Sequence, residues 1–308
     1  MIATDSAPDV HLPGTWALAH LSDPHLTDPL RPVAADWPLK RRLGRASWRR
    51  RRRHRHRLPV LATVVDDLRA QAPGQVALSG DLVQVGLRDE FAQAADWLAG
   101  FMPPERLLLV PGNHEAYVAG AWPAGRESWQ RWLGVPDGEP WLRRHGELLL
   151  IGLSSAVATW PALATGTLGR RQIGLLEDAL AQGAREGLFR VVVVHHPPVP
   201  GVVGWRKRLT DQRLFAAAIA RHGAGVVLHG HAHRATWAQL AGPGGPVPVL
   251  GAPSASACDP RPGRMAGYSL LSPARTHGAW RVTLGRRVYR PATRDCAWQE
   301  TRQFASAG

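Results

Sequence analysis

Residues 225–233 read GVVLHGHAH, and four other short apolar runs of the chain end in the same manner. Residues 16–25 read WALAHLSDPH, 75–81 QVALSGD, 107–115 LLLVPGNHE and 189–198 FRVVVVHHPP. Each run has the length and β-branched or aliphatic character of a buried strand, and each is followed at once by Asp, Asn or His on a turn. A further strand-like run covers Glu147 to Leu153. Between the runs, Pro59 to Ala70, Asp89 to Ala99, Arg170 to Ala181 and Thr210 to His222 carry apolar residues at helical spacing. Strands alternating with amphipathic helices predict a layered α/β fold. Beyond His233 the pattern changes. Ala235 to Leu240, Val247 to Leu250, Tyr268 to Leu271 and Trp280 to Leu284 are short and separated by Gly/Pro turns. This tail, at about 235–290, is expected to supply antiparallel strands closing the sheet, so that residues 1–308 form one domain.

In open α/β sheets ligands bind beyond the carboxyl ends of the strands, so the five loops are expected to converge. Their side chains suit two divalent cations: imidazole with carboxylate takes Mn, Fe or Zn, and no thiolate pair is present. Asp23 and His25, two apart on a turn, can face one ion, as can His231 and His233, while Asp81 can bridge two. A pair of metals about 3.5–4 Å apart activates a water and clamps the attacking and leaving oxygens of a phosphoryl centre. A lone Asp-x-His or Gly-Asp is a turn in most chains. Five such loops in order, each at a strand end, are not.

With these motifs in place the chain resembles the calcineurin-like metallophosphoesterases, whose signature is Asp-x-His, Gly-Asp, Gly-Asn-His-[Asp/Glu], a His after a strand, and Gly-His-x-His. The resemblance runs from about Trp16 to His233. It implies a four-layer αββα sandwich of the metallophosphoesterase type. It also implies one metal on Asp23, His25, Asp81 and His233, and a second on Asp81, Asn113, His195 and His231. His195 is chosen over His196 because the family's ligand sits two before a proline. His114 would stabilise the transition state or protonate the leaving oxygen rather than bind metal. Glu115 is read as an orienting hydrogen-bond partner, and His20 as packing or support for a ligand. For His196 a structural role is as good a reading as a contact near the site. The motifs look most similar to the bacterial cyclic-nucleotide phosphodiesterase branch. They lack the flanking arginines with which protein phosphatases grip a phosphomonoester. The implied activity is therefore phosphodiester hydrolysis, of a cyclic nucleotide or a glycerophosphodiester.

One stretch fits neither strand nor helix of that scheme. Residues 28–57 separate the first strand from the first helix by far more than the usual 2–6 residues, roughly, of an α/β loop, which suggests a functional cap. Lys40 to Arg57 holds 11 of the 38 basic residues and no acid; the rest of the chain carries 27 basic against 24 acidic residues, so the net charge of +14 is local. Trp37, Leu39, Leu43 and Trp48 are interleaved with this charge, a composition suited to an anionic membrane surface. That keeps a membrane-associated pyrophosphatase of a lipid-linked substrate, such as UDP-diacylglucosamine, as the alternative activity. Nucleic acid is a less favoured partner and a nuclease a less favoured activity. His54 and His56, inside the run, read as solvated. The 13 tryptophans are scattered and read as packing. The expected compartment is the cytoplasm, at the inner membrane face where the basic segment engages it. No apolar run approaches the roughly 18 residues of a membrane span, and Met1 to Gly14 lacks a basic-then-apolar leader. The two cysteines, Cys258 and Cys296, agree with that compartment.

Overall fold

A computed structural model describes residues 15–28, 37–133 and 140–306. The reading of Met1 to Gly14 and residues 29–36 of the insertion lie outside them. Two six-stranded mixed sheets lie face to face. The first runs β12 (Asp295–Ser306), β11 (Ala279–Arg290), β10 (Gly267–Thr276), β1 (Leu18–Leu21), β2 (Gln75–Leu78), β3 (Leu107–Leu109). The second runs β4 (Trp141–His145), β5 (Leu148–Leu153), β6 (Phe189–Val194), β7 (Val226–His229), β9 (Val247–Gly251), β8 (Thr236–Leu240). Strands β1, β2 and β3 are parallel to one another, as are β5, β6, β7 and β9.

The period-two alternation of side chains decides the layering. In β6, Val191 and Val193 join Leu18, Ala77, Leu108 and Leu228 in the core between the sheets. Their neighbours Val192 and Val194 face outward, against Ile173, Leu176 and Leu180 of one helix and Phe215 and Ile219 of another. An uninterrupted valine run is thus what a strand covered on both faces requires. The outer helices on this side are α6 (Gly169–Arg185) and α7 (Gln212–His222). On the far face of the first sheet lie α2 (Leu58–Ala70) and α3 (Arg88–Phe101), through Val60, Val64, Leu68, Phe91 and Leu98. The result is the four-layer αββα sandwich. The remaining helices are α1 (Leu39–Arg50) within the insertion and two short ones, α4 (Ala121–Gly125) and α5 (Gln130–Leu133).

Helix starts are fixed by both near and distant residues. Pro59 sits in the first turn of α2, where a missing N–H costs nothing. Glu90 accepts the N–H groups of Leu87, Gln84 and Val85 at 2.9–3.0 Å and so anchors the turn entering α3. The α6 start is held from afar, by Asp211 accepting from Leu168 N at 2.9 Å and Gly169 N at 2.8 Å.

One expectation is corrected. The tail does not close a single sheet antiparallel. β10 to β12 extend the first sheet, whereas β8 and β9 complete the second, and β9 runs parallel to β7. β4 and β12 were not legible, because both are half exposed and carry charged side chains among few apolar ones. Within the described residues, no helix is long and apolar enough to cross a membrane.

His20, in the middle of β1, is fully buried; its Nε2 meets Ser79 Oγ at 2.9 Å and its Nδ1 has no partner. Burial, with His229 nearby, pushes its pKa down to about 3. Between that value and the roughly 6.5 of an unfolded histidine, the unfolded chain binds the extra proton. Stability therefore falls as pH drops through this window, by about 2 kcal/mol at pH 5. Chemical denaturation of metal-depleted protein should show a pH 7 to pH 5 loss smaller by about this amount in His20→Gln than in wild type. An unchanged loss would mean that His20 is not the neutral buried group described.

Candidate metal centre

The parallel strands deliver the predicted residues to one edge of the two sheets. β1 leads into Asp23 and His25, β2 into Asp81, β3 into Asn113 and His114, β6 into His195, and β7 into His231 and His233. Loop backbones bind one another across the gap. Asp23 N donates to Gly80 O at 2.9 Å, His25 N to Asp81 O at 3.0 Å, and Gly230 N to His195 O at 3.1 Å. Asp23, His25, Asp81, His231 and His233 all have positive φ, between 46° and 64°. Side chains other than glycine avoid this region, at a cost on the order of 1–3 kcal/mol each, unless surroundings enforce it. Strain is thus concentrated where the candidate ligands stand.

Two clusters share Asp81. The first gathers Asp23, His25, Asp81 and His233, the second Asp81, His195 and His231. His25 Nε2 and His233 Nε2 are 3.3 Å apart, and Asp23 Oδ1 stands 2.9 Å from His233 Nε2 without hydrogen-bond geometry. In the second cluster His195 Nε2 lies 3.2 Å from His231 Nδ1, 3.2 Å from Asn113 Oδ1 and 3.4 Å from Asp81 Oδ2. His195 Nδ1 lies 2.6 Å from Ser79 O, so it carries a proton and Nε2 is the ring atom turned to the centre. Against burial, the Asp81 carboxylate lifts His195 to about 9, so one proton there serves several acceptors that an ion would otherwise gather. Two ligand atoms, each about 2.1 Å from one ion at a tetrahedral angle, stand roughly 3.4 Å apart, and the observed spacings match. The donor set therefore fits a pair of divalent ions.

The supports are buried too. Glu115 accepts from the backbone N–H of Asp81 (2.9 Å), Leu82 (2.7 Å), Val83 (3.2 Å) and Gly112 (2.6 Å), the orienting role read from the sequence. Burial and then the Asp81 carboxylate push Glu115 up to about 7 against these donors. Burial works against the Asp81 anion, yet the His195, His114 and His25 rings hold its carboxyl well below the usual range. His114 sends Nδ1 to Gln84 O, and its backbone N donates to Asp81 Oδ1 at 2.8 Å. His196 lies against Ser155 Oγ at 2.7 Å.

The insertion enters the site, which the sequence did not show. His54 is exposed, but His56 is buried, not solvated. Its ring centroid is 4.4 Å from that of His25 and 5.4 Å from that of His233. Its Nδ1 meets Ser256 Oγ at 3.0 Å, which leaves Nε2 as the atom free to join the cluster with His25 and His233. Arg52 places Nη1 3.2 Å from His114 Nε2. An arginine therefore does reach the centre, although none flanks the motifs. A run of identical residues holds no signal for which of them turns inward. Above the centre the cleft has two lobes meeting at Arg52 and Lys207. One, of about 400 Å³, is lined by Leu43, Asn113, His114, Tyr117 and residues 161–164; the other, of about 210 Å³, by Arg55, Arg261, Arg264, His231 and His233.

A family model described as calcineurin-like phosphoesterase matches residues 17–235. A probable cyclic nucleotide phosphodiesterase of Synechococcus sp. (strain ATCC 27144) is 28% identical over 228 residues, covering 72% of this chain and 80% of that protein. Another with the same description, from Synechococcus sp. (strain WH7803), is 30% identical over 158 residues, 49% of each chain. Among solved structures, a dimetal phosphatase from Danio rerio superposes with a TM-score of 0.63 at 12% identity, over 95% of this chain and 99% of that one. The purple acid phosphatase PPD1 of yellow lupin gives 0.61 at 12%, over 96% and 55%. At such identity these two structures speak for the fold alone.

Gly112 tests the packing of the centre. A Cβ there would stand 2.3 Å from Asp81 Oδ1 and 2.7 Å from His195 Cε1. Gly112→Ala should keep its circular dichroism spectrum while its bound metal, by elemental analysis, falls at least severalfold. Full metal content would show that Asp81 and His195 need not hold these positions.

Proposed function

The chain belongs to the calcineurin-like phosphoesterase family and is a hydrolase of phosphate esters; from that premise we propose a metal-dependent phosphodiesterase, with a 3′,5′-cyclic nucleotide as the favoured substrate and a glycerophosphodiester as the next. The observation that carries this reading is the larger lobe beside Asn113 and His114. Tyr117 lines it with its ring centroid 5.4 Å from that of His114 and 4.8 Å from Lys40 Nζ, so an aromatic ring and a cation stand together beside His114, as a base and its phosphate would require. Asp23, His25, Asp81 and His233 would hold one ion and Asp81, Asn113, His195 and His231 the other, each Mn, Fe or Zn. Bound there, the metals supply Lewis-acid charge and a water of lowered pKa. The chain's own groups do the rest. Asp81 fixes the spacing of the two clusters, Glu115 fixes Asp81, and Gln84 O fixes the His114 tautomer so that Nε2 faces the cleft. His114 Nε2 is then the chain's own site for holding a proton beside the leaving oxygen.

With Mn added, turnover of a cyclic nucleotide should fall about 10²- to 10⁴-fold in His114→Ala at unchanged metal content. Asp81→Asn should lose metal as well as turnover. Wild-type rates in purified Asp81→Asn would refute the two-metal assignment.

A second reading, a lipid-linked pyrophosphate or diester met at an anionic membrane, is favoured by a specific surface. Leu39 (62% exposed), Leu43 (51%), Trp160 (81%) and Trp205 (65%) surround the mouth of the larger lobe. The segments bearing them are joined: Lys40 Nζ donates to Thr159 O at 2.9 Å, and Ala164 N to Arg206 O at 2.8 Å. Arg42, Arg49, Arg50, Arg51 and Arg53 are exposed beside them. Large apolar groups ringed by basic ones suit an interface with anionic headgroups. Phosphatidylglycerol vesicles should sediment wild type and release Trp160→Ser/Trp205→Ser, with cyclic-nucleotide turnover unchanged. Equal sedimentation of both would remove this reading.

A further inference from the structure

We propose that Arg52, delivered by the insertion, is a catalytic residue that grips a non-bridging oxygen of the substrate phosphate. The inference rests on the phosphoesterase site proposed above and adds to it a group outside the five strand-end loops.

The insertion is built to bring this arginine in. Helix α1 lies so close to the centre that a Cβ on Gly44 would be 2.3 Å from Tyr117 Oη. Arg41 ties the helix to the Asp81 loop, donating from Nε to Val85 O at 3.1 Å and from Nη2 to Gly86 O at 2.6 Å. Trp48 is buried and donates to Asp28 Oδ1 at 2.8 Å. Downstream, Arg57 N donates to Ser256 O at 2.9 Å and Cys258 N to Arg55 O at 2.8 Å, which stitches the turn after α1 to the loop following β9. Arg52 stands between these anchors. Its Nη2 donates to Gly44 O at 3.1 Å, its Nη1 faces His114 Nε2, and its Nε is buried without an acceptor. It lines both lobes of the cleft. Around it in the run, Arg49, Arg50, Arg51, Arg53, Arg55 and Arg57 are exposed.

A guanidinium does not give up its proton, so burying it demands an anion. Asp81, Glu90 and Tyr117 are the acidic groups that act on Arg52. Two divalent ions would take up the charge of Asp81, and Glu90 is occupied by Thr27 and three backbone N–H groups. With metals in place Arg52 has no anion of the chain's own to itself. A phosphate oxygen at the junction of the lobes supplies it, in the fork geometry that arginine offers and lysine does not. His114 Nε2, which accepts from Arg52, holds the guanidinium in place for that contact and is released to the leaving-oxygen side once phosphate takes its place.

The test uses inorganic phosphate on the Mn-loaded full chain, read by calorimetry, together with metal content and kcat for a cyclic nucleotide. Arg52→Gln should keep its metal, bind phosphate about 10- to 100-fold more weakly and lose kcat by a similar factor. Arg52→Lys should recover phosphate affinity in part and kcat less. Arg57→Gln removes the same charge five residues away, at an exposed position, and should behave as wild type. Unchanged phosphate affinity in Arg52→Gln, or an equal loss in Arg57→Gln, would overturn the proposal. If Arg52→Gln does not fold, the Arg52→Lys result decides: wild-type affinity and kcat would mean that a point charge suffices and no fork contact is made. Wild type that neither binds phosphate nor turns over a phosphodiester would instead sink the underlying functional reading.

Discussion

Lone pairs held together at the carboxyl edge of two sheets are the constraint on which the rest of the structure depends. Asp23 with His233, His25 with His233, and His195 with His231 and Asn113 approach within 2.9–3.3 Å without protons to reconcile them all. Left alone, such a cluster would open. It stays closed because five loops are each anchored to a buried strand and bound to one another by backbone hydrogen bonds. Two divalent ions would turn this repulsion into coordination, so metal affinity and closure of the loops are one free energy.

The core supplies the rigidity. Strands β2, β6 and β7 are covered on both faces, so their ends have little freedom to drift. Buried carboxylates then fix the turns: Glu115 gathers four N–H groups around Asp81, and Glu90 gathers three before α3. Positive φ at five of the candidate ligands is tolerated because these bonds over-determine the backbone there. Packing energy from the sandwich is in this way transmitted to the geometry of the centre.

The basic insertion joins two tasks that its composition presents as one. Most of its arginines are exposed near an apolar rim formed with Trp160 and Trp205, while Arg41 and Arg52 turn inward, the first to backbone oxygens and the second to His114. The same segment therefore shapes the mouth of the cleft and reaches its floor. Its attachment to the loop after β9, through His56 and Ser256, places a third imidazole beside His25 and His233.

Chain chemistry alone determined the order of six buried strands and of the four helices that cover the sheets through the first 233 residues, because buried strands and amphipathic helices have different periods. It also determined which Asp, Asn and His residues assemble, because each follows a strand and parallel strands end on one edge. The resemblance then supplied the division into four layers, which the alternation in β6 expresses physically. Only the tertiary structure decided the rest. β4 and β12 are edge or half-exposed strands whose pairing depends on partners distant in sequence. β9 lies between β7, to which it is parallel, and β8, to which it is antiparallel, and its own residues do not say which sheet it joins. Asp211 caps a helix more than forty residues before it, which no local pattern encodes. Arg52 and His56 are the sharpest case. In a run of arginines and histidines every position reads alike, and which of them is buried is set by what α1 and the loop after β9 pack against.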